Sequence, residues 1–176
     1  MQKMRSRLEH GIETGALTAS QFELLGQCCD VVVNCMNRLD EDPEYNVGLV
    51  HTDIINGNII FTPGQVTLID FSRSVYSYYL YDLAQTCFHS NFGGSNTDLQ
   101  NAILRGYHSV KPLKDGHLFM MQAFFAMFIM MIMAEGIDSP KNGWRTGVLK
   151  WFAEEIHPGL TSGKVYMKPS VYENVL

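Results

Sequence analysis

An acid, an amide and a second acid are spaced along this chain in a way that suits phosphoryl transfer. His51-Thr52-Asp53-Ile54-Ile55-Asn56-Gly57-Asn58 places an amide five residues after Asp53, and Leu68-Ile69-Asp70-Phe71 places a second acid twelve residues after Asn58. A carboxylate and an amide oxygen held side by side can share a hard cation. Magnesium takes oxygen ligands, keeps several waters and is completed by substrate phosphates. A further carboxylate close by can accept a proton from an attacking hydroxyl, or orient it.

Such chemistry needs an element that gathers the three side chains. Residues 58–62 and 65–70 read as two strands, joined by Thr62-Pro63-Gly64-Gln65 with Pro and Gly placed for a tight turn. Centred on Pro63-Gly64, the register pairs Phe61 with Val66 and Ile59 with Leu68, and sets Asn58 opposite Ile69 and Gly57 opposite Asp70. Directly paired strand residues lie about 5 Å apart, so Asn58 and Asp70 become neighbours at the open end of the ladder. Asp53, in the loop feeding the first strand, comes near the same place. Gly57 lets the backbone pass close to a phosphate. Pro-Gly favours a type II turn, whose twist suits a two-residue hairpin poorly, so a wider loop is expected.

The rest of the chain reads as helical. Ser20-Gln21-Phe22-Glu23 has the form of a capping box, and Phe22, Leu25, Cys29, Val32, Met36 and Leu39 follow as an apolar stripe. Asp40-Glu41-Asp42-Pro43 is expected to end that helix. Val47-Gly48-Leu49-Val50 is a short extended piece leading into His51. A helix begins near Asp82, and a second capping box at Thr97-Asp98-Leu99-Gln100 opens another. Residues 118–134 are apolar apart from Gln122, and six of these seventeen are Met. Seventeen helical residues span about 26 Å, slightly short of a bilayer core. Flanking Lys/Arg clusters and aromatic anchors are lacking, so a buried central helix stopped by Gly136 is expected, with no membrane partner. A last helix carries Val148, Trp151, Phe152 and Ile156 and is expected to stop at Pro158. Tyr76, Tyr78, Tyr79 and Tyr81 are expected to pack at the surface.

Bulk properties limit the function classes. The 176 residues suit one domain, 1–176, with a real core, and 46% hydrophobic against 18% charged residues marks a folded globule. A net charge of −5 argues against nucleic acid as a partner and is compatible with a cationic small molecule. Glu135, Asp138, Glu154 and Glu155 could line a pocket for such a cation, although a solvated face is the simpler reading. Cys28, Cys29, Cys35 and Cys87 form no C-x-x-C pair and are expected to be small buried apolar groups. His89, His108, His117 and His157 share no ligand spacing. Without an apolar N-terminal signal or an N-x-S/T site, a reducing cytoplasm is the default location.

His51-x-Asp53-x-x-x-Gly57-Asn58, then Ile69-Asp70-Phe71, then Tyr81-Asp82-Leu83-Ala84, resembles the C-terminal lobe of the aminoglycoside phosphotransferase and choline kinase family. The protein kinase template likewise uses an Asp, an Asn five residues later and a metal-binding Asp. The resemblance covers residues 47–88 closely and implies a protein-kinase-like fold. It implies transfer of the ATP γ-phosphoryl to a small-molecule hydroxyl, with Asp53 as catalytic base and Asn58 and Asp70 as Mg2+ and nucleotide ligands. By the same resemblance His51 and Gly57 support the loop, and Asp82 is the buried acid bracing it. The fold class expected is therefore mainly α with a small β-hairpin (α+β), with the catalytic loop and metal-binding hairpin over residues 47–72. Ser72 stands where protein kinases place glycine, and Thr52 replaces a residue that is frequently small.

One family part is not found. No glycine-rich strand-turn-strand precedes His51, and no lysine-glutamate pair can be assigned, so the N-terminal ATP-covering lobe is expected to be missing. Two functions follow. One is a phosphotransferase lobe that binds Mg-ATP weakly and turns over little alone. The other is a non-catalytic, pseudokinase-like remnant acting as an interaction or dimerisation module, partnered by a second copy or a complementing N-lobe. A metal-dependent hydrolase built on His51, Asp53 and Asp70 is a weaker third.

Overall fold

In the computed structural model, residues 1–42, 47–89, 97–139 and 143–165 are described. Two helices come first, α1 (Gln2–Glu13) and α2 (Ala19–Asp40). Four short strands follow: β1 (Val47–Val50), β2 (Ile59–Thr62), β3 (Gln65–Leu68) and β4 (Val75–Tyr78). Then come α3 (Tyr79–His89), α4 (Thr97–Val110), α5 (His117–Glu135), α6 (Gly143–Trp151) and α7 (His157–Thr161). The class is mainly α with small antiparallel sheets.

Helix α5 is the axis of the body. It is apolar all round, which a helix tolerates only when neighbours surround it. Helices α1, α2, α3 and α7 all pack on it, and its residues from Met120 to Met130 are buried without a break. It is long and apolar enough to cross a membrane, yet 83% of its most apolar stretch lies inside the fold. Gly136 ends it, as expected. Phe124 collects Tyr78 in a stack at 5.6 Å and Tyr81 edge-on at 6.0 Å. Those two tyrosines are core residues, which corrects the surface expectation; Tyr76 alone of the four is widely exposed, and Tyr79 is at the margin.

Helix α2 carries the expected stripe. Leu25, Cys29, Val32 and Leu39 are buried, and Phe22 and Met36 pack against the core from its edge. All four cysteines are buried, and none is in a disulfide. The cap lies two residues earlier than expected. Thr18, in extended conformation, accepts from the Gln21 amide at 3.2 Å, while the Gln21 side chain accepts from the Thr18 amide at 2.9 Å. Ser20 is already helical and shares a hydrogen bond with the Thr18 hydroxyl. The Thr97 side chain, expected as a cap, lies outside the described residues, as does that of His89; Gln100 donates to the Cys87 carbonyl at 3.1 Å. Pro158 does not stop the last helix. A π-turn over Phe152–Ile156 comes before it, and Pro158 sits in the first turn of α7, where a missing N–H costs nothing.

The strands form two separate antiparallel ribbons, β1 with β4 and β2 with β3. The β2–β3 register pairs Ile59 with Leu68, Phe61 with Val66 and Thr62 with Gln65. This is the expected register, but the loop is a bare two-residue turn with Gly64 at φ +76°, tighter than expected. A ribbon of four-residue strands with no third strand to match among the described residues can absorb the splay of such a turn. Strand β4 was not foreseen; it pairs Leu49 with Tyr76 and Val50 with Val75.

Candidate active site

The loop from His51 to Asn58 is held by one acid. The Asp82 carboxylate, in the first turn of α3, accepts the His51 amide at 3.1 Å and the Thr52 amide at 2.7 Å. Thr52 can therefore hold φ +60°, a left-handed conformation that a β-branched residue rarely adopts. Strain of roughly 1–3 kcal/mol persists only where the surroundings over-determine it. Here the Thr52 hydroxyl adds a 2.7 Å bond to the Arg73 carbonyl. His51 is buried; its Nε2 lies 2.9 Å from the Ile69 carbonyl, and its ring packs on Phe71 at 4.6 Å. With Nε2 facing a carbonyl, that nitrogen carries the proton. His51 thus ties the loop to the segment carrying Asp70.

Asp53 and Asn58 are in contact. The Asn58 Nδ2 donates to the Asp53 carbonyl at 2.9 Å and to Asp53 Oδ2 at 3.0 Å. Both partners are acceptors, so the amide orientation is chemically fixed, and Asn58 Oδ1 is turned away from Asp53. Asp53 is half-buried, and its Oδ1 is not used in this contact. A 3-10 turn over Asn56–Asn58 leads into β2, and the Ile69 amide donates to the Asn58 carbonyl at 3.0 Å, extending the ladder by one rung. A Cβ on Gly57 would meet only the tip of Ile55, at 4.0 Å, so among the described residues no atom crowds that side of the loop.

Asp70 follows that rung. It adopts φ +59°, and its Oδ1 accepts the Ser72 hydroxyl at 2.6 Å and the Ser72 amide at 3.4 Å. These bonds, the hydroxyl's first, hold its pKa below the usual carboxylate value. Its Oδ2 is left to solvent or a ligand. Among the described residues, no hydrogen bond or ion pair links Asp70 to Asp53 or Asn58. The arrangement thus joins Asp53 to Asn58 directly, and Asp70 to both through the backbone rung and His51.

Asn58 Oδ1, Asp70 Oδ2 and Asp53 Oδ1 are hard oxygen donors of the kind Mg2+ prefers. Among the described residues, no three His, Cys, Asp or Glu side chains cluster as a metal site, which removes support for a hydrolase centre on His51, Asp53 and Asp70. Three of the four acids weighed for a cationic acceptor are engaged with other partners. Asp138 pairs with Arg7, Glu154 with Lys150, and Glu155 accepts from the Trp151 indole. Ser72 and Thr52 were missed as positioning groups. An Asp followed two residues later by Ser is an Asx-turn signal that would have found the first.

None of the curated proteins compared with the chain matches it. The model of the phosphotransferase enzyme family, APH, matches residues 6–119. That span exceeds half of the chain and contains the Asp53–Asn58 loop, the hairpin with Asp70 and the bracing Asp82, so the chain belongs to this phosphotransferase family.

Proposed function

We propose that this chain carries the catalytic half of an ATP- and Mg2+-dependent phosphotransferase of protein-kinase-like fold, which moves the γ-phosphoryl onto a small-molecule hydroxyl. The observation carrying this reading is the Asn58 clamp on Asp53: one amide fixes the acid and leaves its own oxygen as a ligand. Asp53 Oδ1 takes the proton as the hydroxyl oxygen forms its bond to phosphorus and the bond to the nucleotide leaving oxygen breaks. Asn58 Oδ1 and Asp70 Oδ2 would hold the cation, which when bound would neutralise charge on the phosphates. Gly57 leaves room for a phosphate beside the loop. His51 and Asp82 position the loop without touching the reacting atoms.

Described residues before β1 are helical or loop, and none supplies a strand to cover the phosphates. Nucleotide affinity of this chain by itself is therefore weak. Titrating Mg-ATP while following the melting temperature tests the reading. At ten times Kd, binding contributes about 1.4 kcal/mol, or a rise of about 3–5 °C for a chain this size. The rise is expected in the wild type and absent in Asp70→Ala. No rise in either protein overturns the proposal.

A second reading has its own observation. Leu49 and Tyr76 face each other across β1 and β4, Phe61 and Val66 across β2 and β3, and all four are exposed, Phe61 at 73% and Tyr76 at 74%. Two ribbons with bare apolar pairs on their outer faces favour an interaction role, with a second copy as the simplest occupant. Sedimentation should show concentration-dependent dimers that Phe61→Lys with Tyr76→Lys dissolves. A strictly monomeric mass at high concentration defeats this reading.

A further inference from the structure

Beside the Asp53 loop lies a groove of about 360 Å3, within the usual range for a small-molecule site. Ile54, Tyr79, Leu83, Ile103, Gly106 and Tyr107 line it, from the loop and from helices α3 and α4. Ile54 is the residue next to Asp53. Building on the phosphotransferase reading, we propose that this groove seats the acceptor, and that the acceptor is an uncharged alcohol presenting an alkyl or aromatic face.

Three observations set that chemical class. Among the described residues the one acid lining the groove is Asp82, and a backbone N–H already holds each of its carboxylate oxygens, so an ammonium group would have to share both oxygens with the loop they brace. The Tyr79 ring already has the Lys111 ammonium 5.1 Å from its centroid, which opposes a second cation on that aromatic wall. Gly106 lies inside α4, where glycine weakens a helix relative to alanine, and a Cβ there would meet nothing within 4 Å. Among the described residues no packing requires that glycine. Its missing side chain widens the groove.

The test needs neither nucleotide nor metal. Ligand-observed NMR on the full chain would compare phenyl β-D-glucopyranoside with the polycation kanamycin and with choline. The phenyl glucoside is expected to bind at least tenfold more tightly than either cation. Gly106→Trp, which fills the groove, should weaken it at least tenfold; Gly106→Leu serves if the Trp variant does not fold. Tighter binding of a cation, no phenyl glucoside binding at millimolar concentration, or indifference to filling Gly106 would overturn the assignment. The outcome separates from the Mg-ATP titration. Alcohol binding without a Mg-ATP response sinks the phosphotransfer reading and leaves a neutral-ligand groove, while the reverse sinks only the groove.

Discussion

The side-chain amide of Asn58 bridges two oxygens of Asp53, its carbonyl at 2.9 Å and its carboxylate at 3.0 Å. One residue therefore sets both the direction of the acid and the direction of its own oxygen. Asn58→Ala removes bonds to a half-buried charged group and should cost about 1–2 kcal/mol, or roughly 2–8 °C in Tm. Asn58→Asp keeps a ligand oxygen but replaces the donor by a second carboxylate. Two acids in contact raise one folded-state pKa above its unfolded value, so that the variant gains stability as pH falls from 7 to 4. Urea melts across that range check the sign; a variant indifferent to pH would mean the two side chains do not meet.

Asp82 acts at one remove. Its two oxygens accept the amides of His51 and Thr52, the residues leading to Asp53. In Asp82→Asn one position becomes an NH2 facing an N–H, so a buried-side donor loses its partner. The expected loss is about 2 kcal/mol, or about 4–8 °C in Tm. A merely structural brace would change stability alone. Because Thr52 relies on Asp82 to hold its left-handed backbone, the Mg-ATP response should weaken as well, well below the variant's melting temperature.

The legible parts of this chain are those whose information is local. Pro63-Gly64 fixes the turn, and with it the rung that brings Asn58 beside Ile69. Helix α5 could be read as buried because it has no polar face at all. Helix α1 escaped notice because its sequence signal is sparse: only Met4, Leu8 and Gly11 are buried, and no side chain caps its start. Strand β4 escaped because its partner, β1, lies on the far side of the hairpin in sequence. Thr18 and Ser20, two residues apart, both satisfy the capping pattern, and only the backbone angle decides between them. The aim of the Asp70 side chain follows from its positive φ and from Ser72, which spacing alone does not reveal.

Buried groups that ionise only in alkali make the fold pH-sensitive in one direction. Tyr78 donates to Asp40 at 2.7 Å, and burial with that bond pushes its pKa up to about 12. Burial alone raises Cys87 to about 12, and it is the main cause for Cys28 at about 12 and Cys35 at about 11. Each folded-state value lies above its unfolded value of 9.0 or 10.0. The unfolded chain therefore releases protons first as pH rises. The stability involved is fully present below about pH 9 and is lost progressively toward pH 12. Tyr78→Phe isolates one group. At neutral pH it should cost about 1 kcal/mol, since exposed Asp40 regains water. Between pH 10 and 12 the gap to wild type should close, because only the wild type still has that phenol to lose. Denaturant melts at pH 8, 10 and 11 measure the gap, and a difference that stays constant or widens would show that burial and the Asp40 bond do not hold the Tyr78 phenol protonated in solution.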